Sequence, residues 1–338
     1  MSTLKSINVQ HPSSATINLV NDASGNVAIG ANLTVAGNET VTGTTSMGSS
    51  FKRNRIINGN CATDQRNAGA SQIITAGAAL AYTVDRWYAY STGANVTGQR
   101  VTGATANQYR YQFTGAASVT AIGFAQRIEA INSADLAGTT ATLSVDLANS
   151  LLTTVTWTAY YANTTDTFGT LASPTVTSIA TGTFTVTSTV TRYNAQISIP
   201  SAATTGLQIV LSVGAQTSGT WTIGNVQLEP GSAATPYERQ IYSDQLAQCQ
   251  RYYENCVASS SGYALSATSF GTSVTYAVVK RTSPTIAQLT NNSFLTQYNC
   301  TATTSTYVTN TSNAFAYRVA TASANIQFSE TFSSSAEL

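Results

Sequence analysis

Apolar and polar residues alternate over long stretches of the chain. Ala141-Thr142-Leu143-Ser144-Val145-Asp146-Leu147, Phe184-Thr185-Val186, Ala195-Gln196-Ile197-Ser198-Ile199 and Ile209-Val210-Leu211-Ser212-Val213 share a period of two. That period sends successive side chains to opposite faces of a strand, so each run has one face to bury. Gly138, Asn149, Gly182, Pro200, Gly206 and Gly219 stand between the runs as turn residues. Many short strands at this spacing predict a β-sandwich or barrel. The alternation dominates up to about residue 230, and residues 51–240 have a length that suits one such domain.

Ahead of it lies a period of six: Asn26-Val27-Ala28-Ile29-Gly30-Ala31, Asn32-Leu33-Thr34-Val35-Ala36-Gly37 and Asn38-Glu39-Thr40-Val41-Thr42-Gly43. Each unit holds one short strand and one turn, and buries no core alone. Three chains wound about one axis would place Ile29, Val35 and Val41 inside a slender shaft. Residues 26–50 are therefore expected to be a short trimeric β shaft and linker, behind an extended arm over residues 1–25.

The pattern changes again over residues 229–256. Charges return with Glu229, Glu238, Arg239, Asp244, Arg251 and Glu254, and Pro230-Gly231 and Pro236 mark a turn. Ser243 is placed to cap a helix and Asp244 to complement its dipole. Leu246, Cys249, Gln250 and Tyr253 follow at helical spacing, which predicts one linking helix over residues 241–256. Beyond it, Val274-Thr275-Tyr276-Ala277-Val278, a break at Ser283-Pro284 and Asn325-Ile326-Gln327-Phe328 predict a C-terminal β-sandwich tip over residues 257–338. The fold class expected from the pattern is all-β.

Composition agrees. Charged residues are only 9% of the 338 and hydrophobic residues 42%, so Thr, Ser, Asn and Gln must supply solubility. Lys and Glu, which favour helix, are scarce, whereas Thr, Val and Tyr favour strands. With a net charge of +1 and one dense basic run, Lys52-Arg53-Asn54-Arg55, no nucleic-acid partner is expected. The N-terminus lacks a signal-peptide apolar region, and no window approaches a membrane span. Cys61, Cys249, Cys256 and Cys300 match neither a zinc site nor a disulfide framework, and read as free, mostly buried thiols of a protein assembled in a reducing cytosol.

Several segments resemble, in order, those of bacteriophage tail-fibre and receptor-binding proteins. Asn54-Arg55-Ile56-Ile57-Asn58-Gly59, Asp64-Gln65-Arg66-Asn67-Ala68-Gly69 and Tyr82-Thr83-Val84-Asp85-Arg86-Trp87 are similar to the start of their β-sandwich domain. Val226-Gln227-Leu228-Glu229-Pro230-Gly231, with Ala234-Thr235-Pro236-Tyr237-Glu238-Arg239, resembles its closing strand. Cys249-Gln250-Arg251-Tyr252-Tyr253 resembles the helix that follows, and Arg281-Thr282-Ser283-Pro284-Thr285 and Ala336-Glu337-Leu338 resemble parts of the C-terminal domain. The resemblance covers most of residues 51–338. It implies a virion fibre whose sandwich is similar to carbohydrate-binding jelly rolls.

Candidate site residues follow from the aromatic pattern. In Thr156-Trp157-Thr158-Ala159-Tyr160-Tyr161 a strand puts Trp157, Ala159 and Tyr161 on one face and Tyr160 on the other. Trp157 and Tyr161 either stack on sugar rings or pack in the sandwich. Tyr298 and Tyr307 lie among amides and hydroxyls suited to glycan recognition, or simply to a neutral fibre surface. Asp64, Arg66, Asp85 and Arg86 either hold a sugar or cation, or form a structural ion-pair network at the domain entrance. The only histidine, His11, lies in the arm, so no catalytic triad is expected in the main domains. No phosphate loop, cofactor motif or metal-ligand cluster appears. A glycosidase needs two facing carboxylates, and the spacing of Asp64, Asp85, Glu129, Asp135, Asp146, Asp166 and Glu229 singles out no pair.

The expected function is therefore a homotrimeric phage tail fibre, carried on the virion and assembled in the bacterial cytoplasm. It would attach through its arm to a tail or other virion protein, and bind a host-surface glycan or protein through its outer β domains. A tail-associated glycan depolymerase and a capsid-anchored head fibre are the alternatives.

Overall fold

The computed structural model describes residues 19–21, 27–29, 52–77, 79–103, 109–263, 270–289, 300–321 and 325–338. The chain divides into two compact units, Met1–Ser50 and Phe51–Leu338. In the first, β1 (Leu19–Asn21) and β2 (Val27–Ile29) pair antiparallel, with Leu19 opposite Ile29. β2 is the strand of the first six-residue repeat. Residues 30–50, which carry the rest of the expected shaft, lie outside the described residues.

The second unit begins with β3 (Gln72–Ile74), β4 (Ala81–Tyr82), β5 (Tyr88–Thr92), β6 (Val96–Thr102), β7 (Tyr109–Thr114) and β8 (Ala121–Ile128). There follow β9 (Thr140–Asn149), β10 (Thr154–Ala162), β11 (Val176–Thr185), β12 (Thr191–Ser198), β13 (Leu207–Val213) and β14 (Thr220–Pro230). They form two six-stranded antiparallel sheets, ordered β11-β10-β13-β8-β5-β4 and β12-β9-β14-β7-β6-β3. Only β4–β5, β6–β7 and β10–β11 are successive strands that pair within one sheet; every other connection crosses to the opposite one. The two sheets make a sandwich because the alternating runs supply two apolar faces. Ala141, Leu143, Val145 and Leu147 of β9 are fully buried, as are Ile209 and Leu211 of β13. At the centre, the Trp87 ring stacks on Phe124 at 4.5 Å, Tyr111 on Phe124 at 5.1 Å, and Phe113 on Trp221 at 5.3 Å. Such contacts add to the area burial that holds the sheets together.

The opening and closing segments of the sandwich meet in space. The Asn54 side chain accepts from the Ile56 and Leu228 amides and donates to the Val226 carbonyl. Arg55 N donates to Leu228 O at 2.8 Å and Val226 N to Gly59 O at 2.9 Å. Asn58 is buried at φ +58° and bonds both backbone groups of Thr63 and the Asp85 carbonyl. Glu229, also buried, accepts from the amide and hydroxyl of Thr235. The polar residues of these segments thus satisfy buried backbone groups that no ladder reaches.

The predicted helix is present but shorter than the 241–256 expected: α1 spans Tyr242–Gln250. Ser243 does not cap it; Ile241 occupies that position without a side-chain hydrogen bond, while Asp244 does sit in the first turn. The helix stops because the chain is taken up by a sheet. Tyr253 already lies in β15 (Tyr253–Tyr263), opposite Ser335 of β20 (Asn325–Ser335).

Between these strands run β16 (Phe270–Thr275), β17 (Thr285–Gln288), β18 (Cys300–Asn310) and β19 (Ala314–Thr321). They complete two three-stranded antiparallel sheets, β15-β20-β17 and β16-β19-β18. Among the described cysteine side chains, Cys61, Cys249 and Cys256 are free and buried. Burial pushes the Cys61 thiol up to about 12 and Cys256 to about 11, so neither is a thiolate nucleophile at neutral pH.

Candidate functional site

The outward face of one large sheet is hollowed and lined with tyrosine. Strands β10, β13, β8 and β5 lie side by side, and their register sets the outward residues in rows. One row runs Tyr160–Gln208–Arg127, the next Thr158–Val210–Ala125–Tyr88, and the third Thr156–Ser212–Gly123–Tyr90. The alternate positions Trp157, Leu211, Phe124 and Ala89 point into the core. Tyr88, Ala125 and Val210 form a small apolar cluster of their own on this face, with Tyr90, Tyr160 and Leu171 packed against it.

Above this floor is a cleft of about 610 Å³, within the range of small-ligand sites. Gly77 and Ala79 contribute one part of its lining, and Thr170, Leu171, Ala172 and Pro174 another. Gly123 explains how Tyr90 lies across the sheet. A Cβ on Gly123 would come within 2.1 Å of the Tyr90 ring, so glycine is what lets the ring rest on the β8 backbone.

Arg127 is the one charged residue among the described residues lining the cleft. Its guanidinium donates to Gln208 Oε1 at 3.2 Å, to the Gly169 carbonyl at 2.9 Å and to the Leu338 carbonyl at 2.7 Å. It lies 5.2 Å from the Tyr88 ring and 5.4 Å from the Phe168 ring, a favourable placement over both π faces. Burial pushes the Tyr88 hydroxyl up to about 12 and also raises Tyr90. Both phenols therefore stay protonated at neutral pH, able to donate as well as accept. Aromatic faces beside uncharged hydroxyl and amide groups suit a ligand with apolar C–H faces and a rim of hydroxyls.

Among the described residues, no carboxylate side chain lines the cleft. The acidic residues of the sandwich have other partners. Asp64 accepts from the Asn67 and Gly69 amides, Asp85 from the Gln65 amide and side chain, and Asp166 from the Ala130 amide. Asp135 pairs with Arg55, Asp146 with Arg192, and Glu129 with Arg251.

Of the four charged residues of the opening segments, none lines the cleft: Asp64 lies 3.9 Å from Arg100, and Arg66, Asp85 and Arg86 belong to a buried seam. Arg66 donates to Glu337 Oε1 at 3.0 Å and Arg86 to Glu337 Oε2. The Arg66 guanidinium lies 3.6 Å from the Tyr253 ring centroid and that of Arg86 3.5 Å from Tyr252. Burial lifts the Asp85 carboxyl to about 6, against the pull of the Gln65 donors and Arg66. Arg86 sits at φ +73°, a backbone strain held by these surroundings.

The aromatic candidates fall out as follows. Trp157 is 6% exposed with its ring over Gly182, and Tyr161 packs against the core, so neither is on the cleft face. Their neighbour Tyr160, on the other face of the strand, is the one that lines the cleft. Tyr298 lies outside the described residues, and Tyr307 is in β18, where its side chain is likewise outside them. Sequence reasoning missed Tyr88, Tyr90 and Arg127. The signal was present: Tyr88 and Tyr90 alternate with Ala89, and a two-sided strand with tyrosine on its second face marks a surface worth reading.

No protein-family model and no curated protein matches the chain. Solved structures do resemble parts of it. The enzymatically active domain of tailspike protein 4 of bacteriophage CBA120 is 18% identical, with a TM-score of 0.34, over 53% of this chain and 22% of that one. A family 4 carbohydrate-binding module is 19% identical, with a TM-score of 0.33, over 52% of this chain and 98% of the module. The family 11 carbohydrate-binding module of a Clostridium thermocellum cellulosomal cellulase is 13% identical, with a TM-score of 0.30, over 50% of this chain and all of the module. Each of these likenesses spans about half of the chain.

Proposed function

We propose that this protein is a virion fibre that binds a host-surface glycan through the tyrosine cleft of its sandwich. The observation that carries the reading is the cleft: three tyrosines and a set of hydroxyl and amide groups on one sheet face. That lining suits holding a sugar by its ring faces and hydroxyls. The ordered segments that resemble phage fibre proteins supply the virion context, with the N-terminal arm as the attachment to a tail or other virion protein. On this reading the sandwich is a jelly roll, the C-terminal sheets are a tip, and the protein is assembled in the bacterial cytoplasm.

The test is a glycan array of bacterial surface polysaccharides probed with the whole chain. Tyr90→Ala and Tyr160→Ala are expected to weaken binding roughly tenfold each, about 1.4 kcal/mol, with unchanged melting. Gly123→Ala, which evicts the Tyr90 ring, is expected to match Tyr90→Ala. Binding that is indifferent to all three substitutions removes the cleft from consideration.

A fibre of this kind is also proposed to be a trimer, since three weak sites presented together multiply into avidity. Light scattering of the full chain is expected to return three protomer masses of 35.3 kDa each. A monodisperse monomer at working concentration is the result that sinks the shaft.

A further inference from the structure

The cleft and the C-terminal residues share side chains. Arg127 lines the cleft, yet one of its terminal nitrogens is bonded to the Leu338 carbonyl at 2.7 Å and the other to the Gly169 carbonyl at 2.9 Å. Gly169 lies in the segment that contributes Thr170, Leu171, Ala172 and Pro174 to the cleft. A second link runs through Tyr82. Its hydroxyl donates to the Leu338 carbonyl at 2.9 Å, and its ring meets the cleft residue Tyr88 edge-on at 6.1 Å.

The C-terminal residues are themselves held tightly. Glu337 receives both Arg66 and Arg86. Arg281 donates to the Ala336 and Glu337 carbonyls at 3.0 and 3.1 Å, and the Ala336 amide donates to Tyr252 O at 2.7 Å. Such a density of buried, charge-assisted bonds fixes position as well as energy.

We propose that residues 336–338 act as a clasp that positions one end of the cleft, with Glu337 anchoring the clasp and Arg127 passing its position to the 168–176 segment. The inference rests on the cleft being the binding site, but not on which ligand enters it. The 168–176 segment is tied to the sandwich at its far end, where Asn163 N donates to Thr175 O at 2.9 Å and Val176 lies opposite Ala162. Before that, Thr175 N bonds Phe168 O and Thr170 N bonds Ser173 O within the segment, and Arg127 on the Gly169 carbonyl is the side-chain bond that ties its first half to the sheet. The three acceptors of Arg127 diverge from one planar donor group. A lysine ammonium lacks that fork and cannot reproduce it.

Hydrogen exchange read by mass spectrometry on the full chain tests this without any sugar, so a chain that binds no glycan still decides it. In Glu337→Gln, peptides covering 330–338 and 168–176 are expected to exchange at least tenfold faster together, while a peptide covering β9 is unchanged. Arg127→Lys is expected to release 168–176 alone. Should Glu337→Gln lose protection in β9 as well, Tyr82→Phe, which removes only one hydroxyl from the Leu338 carbonyl, takes its place under the same comparison. The proposal is overturned if 330–338 opens while 168–176 stays protected. It is equally overturned if 330–338 stays closed in Glu337→Gln, or if Arg127→Lys leaves 168–176 unchanged.

Discussion

A chain lacking residues 257–338 is expected to lose most of its stability rather than to yield a sandwich without its tip. The cause lies in the seam. Arg86 is 1% exposed and Arg66 partly buried, and both pair with the Glu337 carboxylate, itself 5% exposed at the side chain. Removing one partner of a buried ion pair costs about 3–5 kcal/mol, because the remaining charge stays buried without compensation. The deletion also takes Arg281 from Glu129 and Lys280 from Glu254, and it removes β20 together with all of β15 beyond Cys256. Domains of ordinary stability have only about 5–15 kcal/mol to lose.

Guanidinium denaturation of the truncated and full chains measures the difference. A truncated chain that unfolds within about 1 kcal/mol of the parent contradicts the argument, since buried pairs of this kind cost several times that when broken. The practical consequence concerns adsorption assays. Loss of adsorption on truncation would report an unfolded sandwich as readily as a missing tip, so point substitutions on the cleft floor are the cleaner probe.

The second large effect is expected where the opening and closing segments cross. Gly59→Ala would set a Cβ 2.0 Å from the Val226 carbonyl oxygen and 3.1 Å from its carbon. Neither atom is the end of a flexible side chain. Val226 lies at an irregularity of β14, but the strand is paired with β9 on either side of it, at Gly224 and Gln227, and the Val226 side chain is fully buried, so the backbone cannot move away cheaply. Overpacking against backbone of this kind is expected to cost about 3 kcal/mol. Asn58→Ala should cost a similar amount by a different route, leaving the amide of Thr63 and the carbonyl of Asp85 unpaired in the interior while the Thr63 carbonyl keeps the Asp85 amide, at about 1–3 kcal/mol for each group left unsatisfied. Denaturant midpoints measure both. A Gly59→Ala chain as stable as the parent would mean that the two segments do not cross as described.

Much of the sandwich was legible from the chain alone because its cause is local. A strand's period of two is a property of the backbone, so Leu143, Val145 and Leu147 announce a buried face before any partner is known. The same rule correctly separated Tyr160 from Trp157, Ala159 and Tyr161. What the rule cannot state is which of two faces meets the other sheet. Trp157 could have stacked on a sugar until β11 and the opposite sheet covered it. The helix end was illegible for a related reason: residues 251–256 continue a helical pattern, but pairing of Tyr253–Tyr263 with β20, far along the chain, wins over local preference.

By itself, then, the sequence determined an all-β chain with alternating strands, one short helix and a charge-poor surface, since these follow from backbone periodicity and side-chain chemistry. Only the tertiary structure decided where function is to be sought. Tyr88, Tyr90, Arg127 and Tyr160 become one cleft through the register of four strands drawn from separate parts of the chain. Arg66 and Arg86 find their counter-charge some 250 residues away, in Glu337. Contacts of that separation depend on how whole sheets pack, and no window of the sequence contains both ends of them.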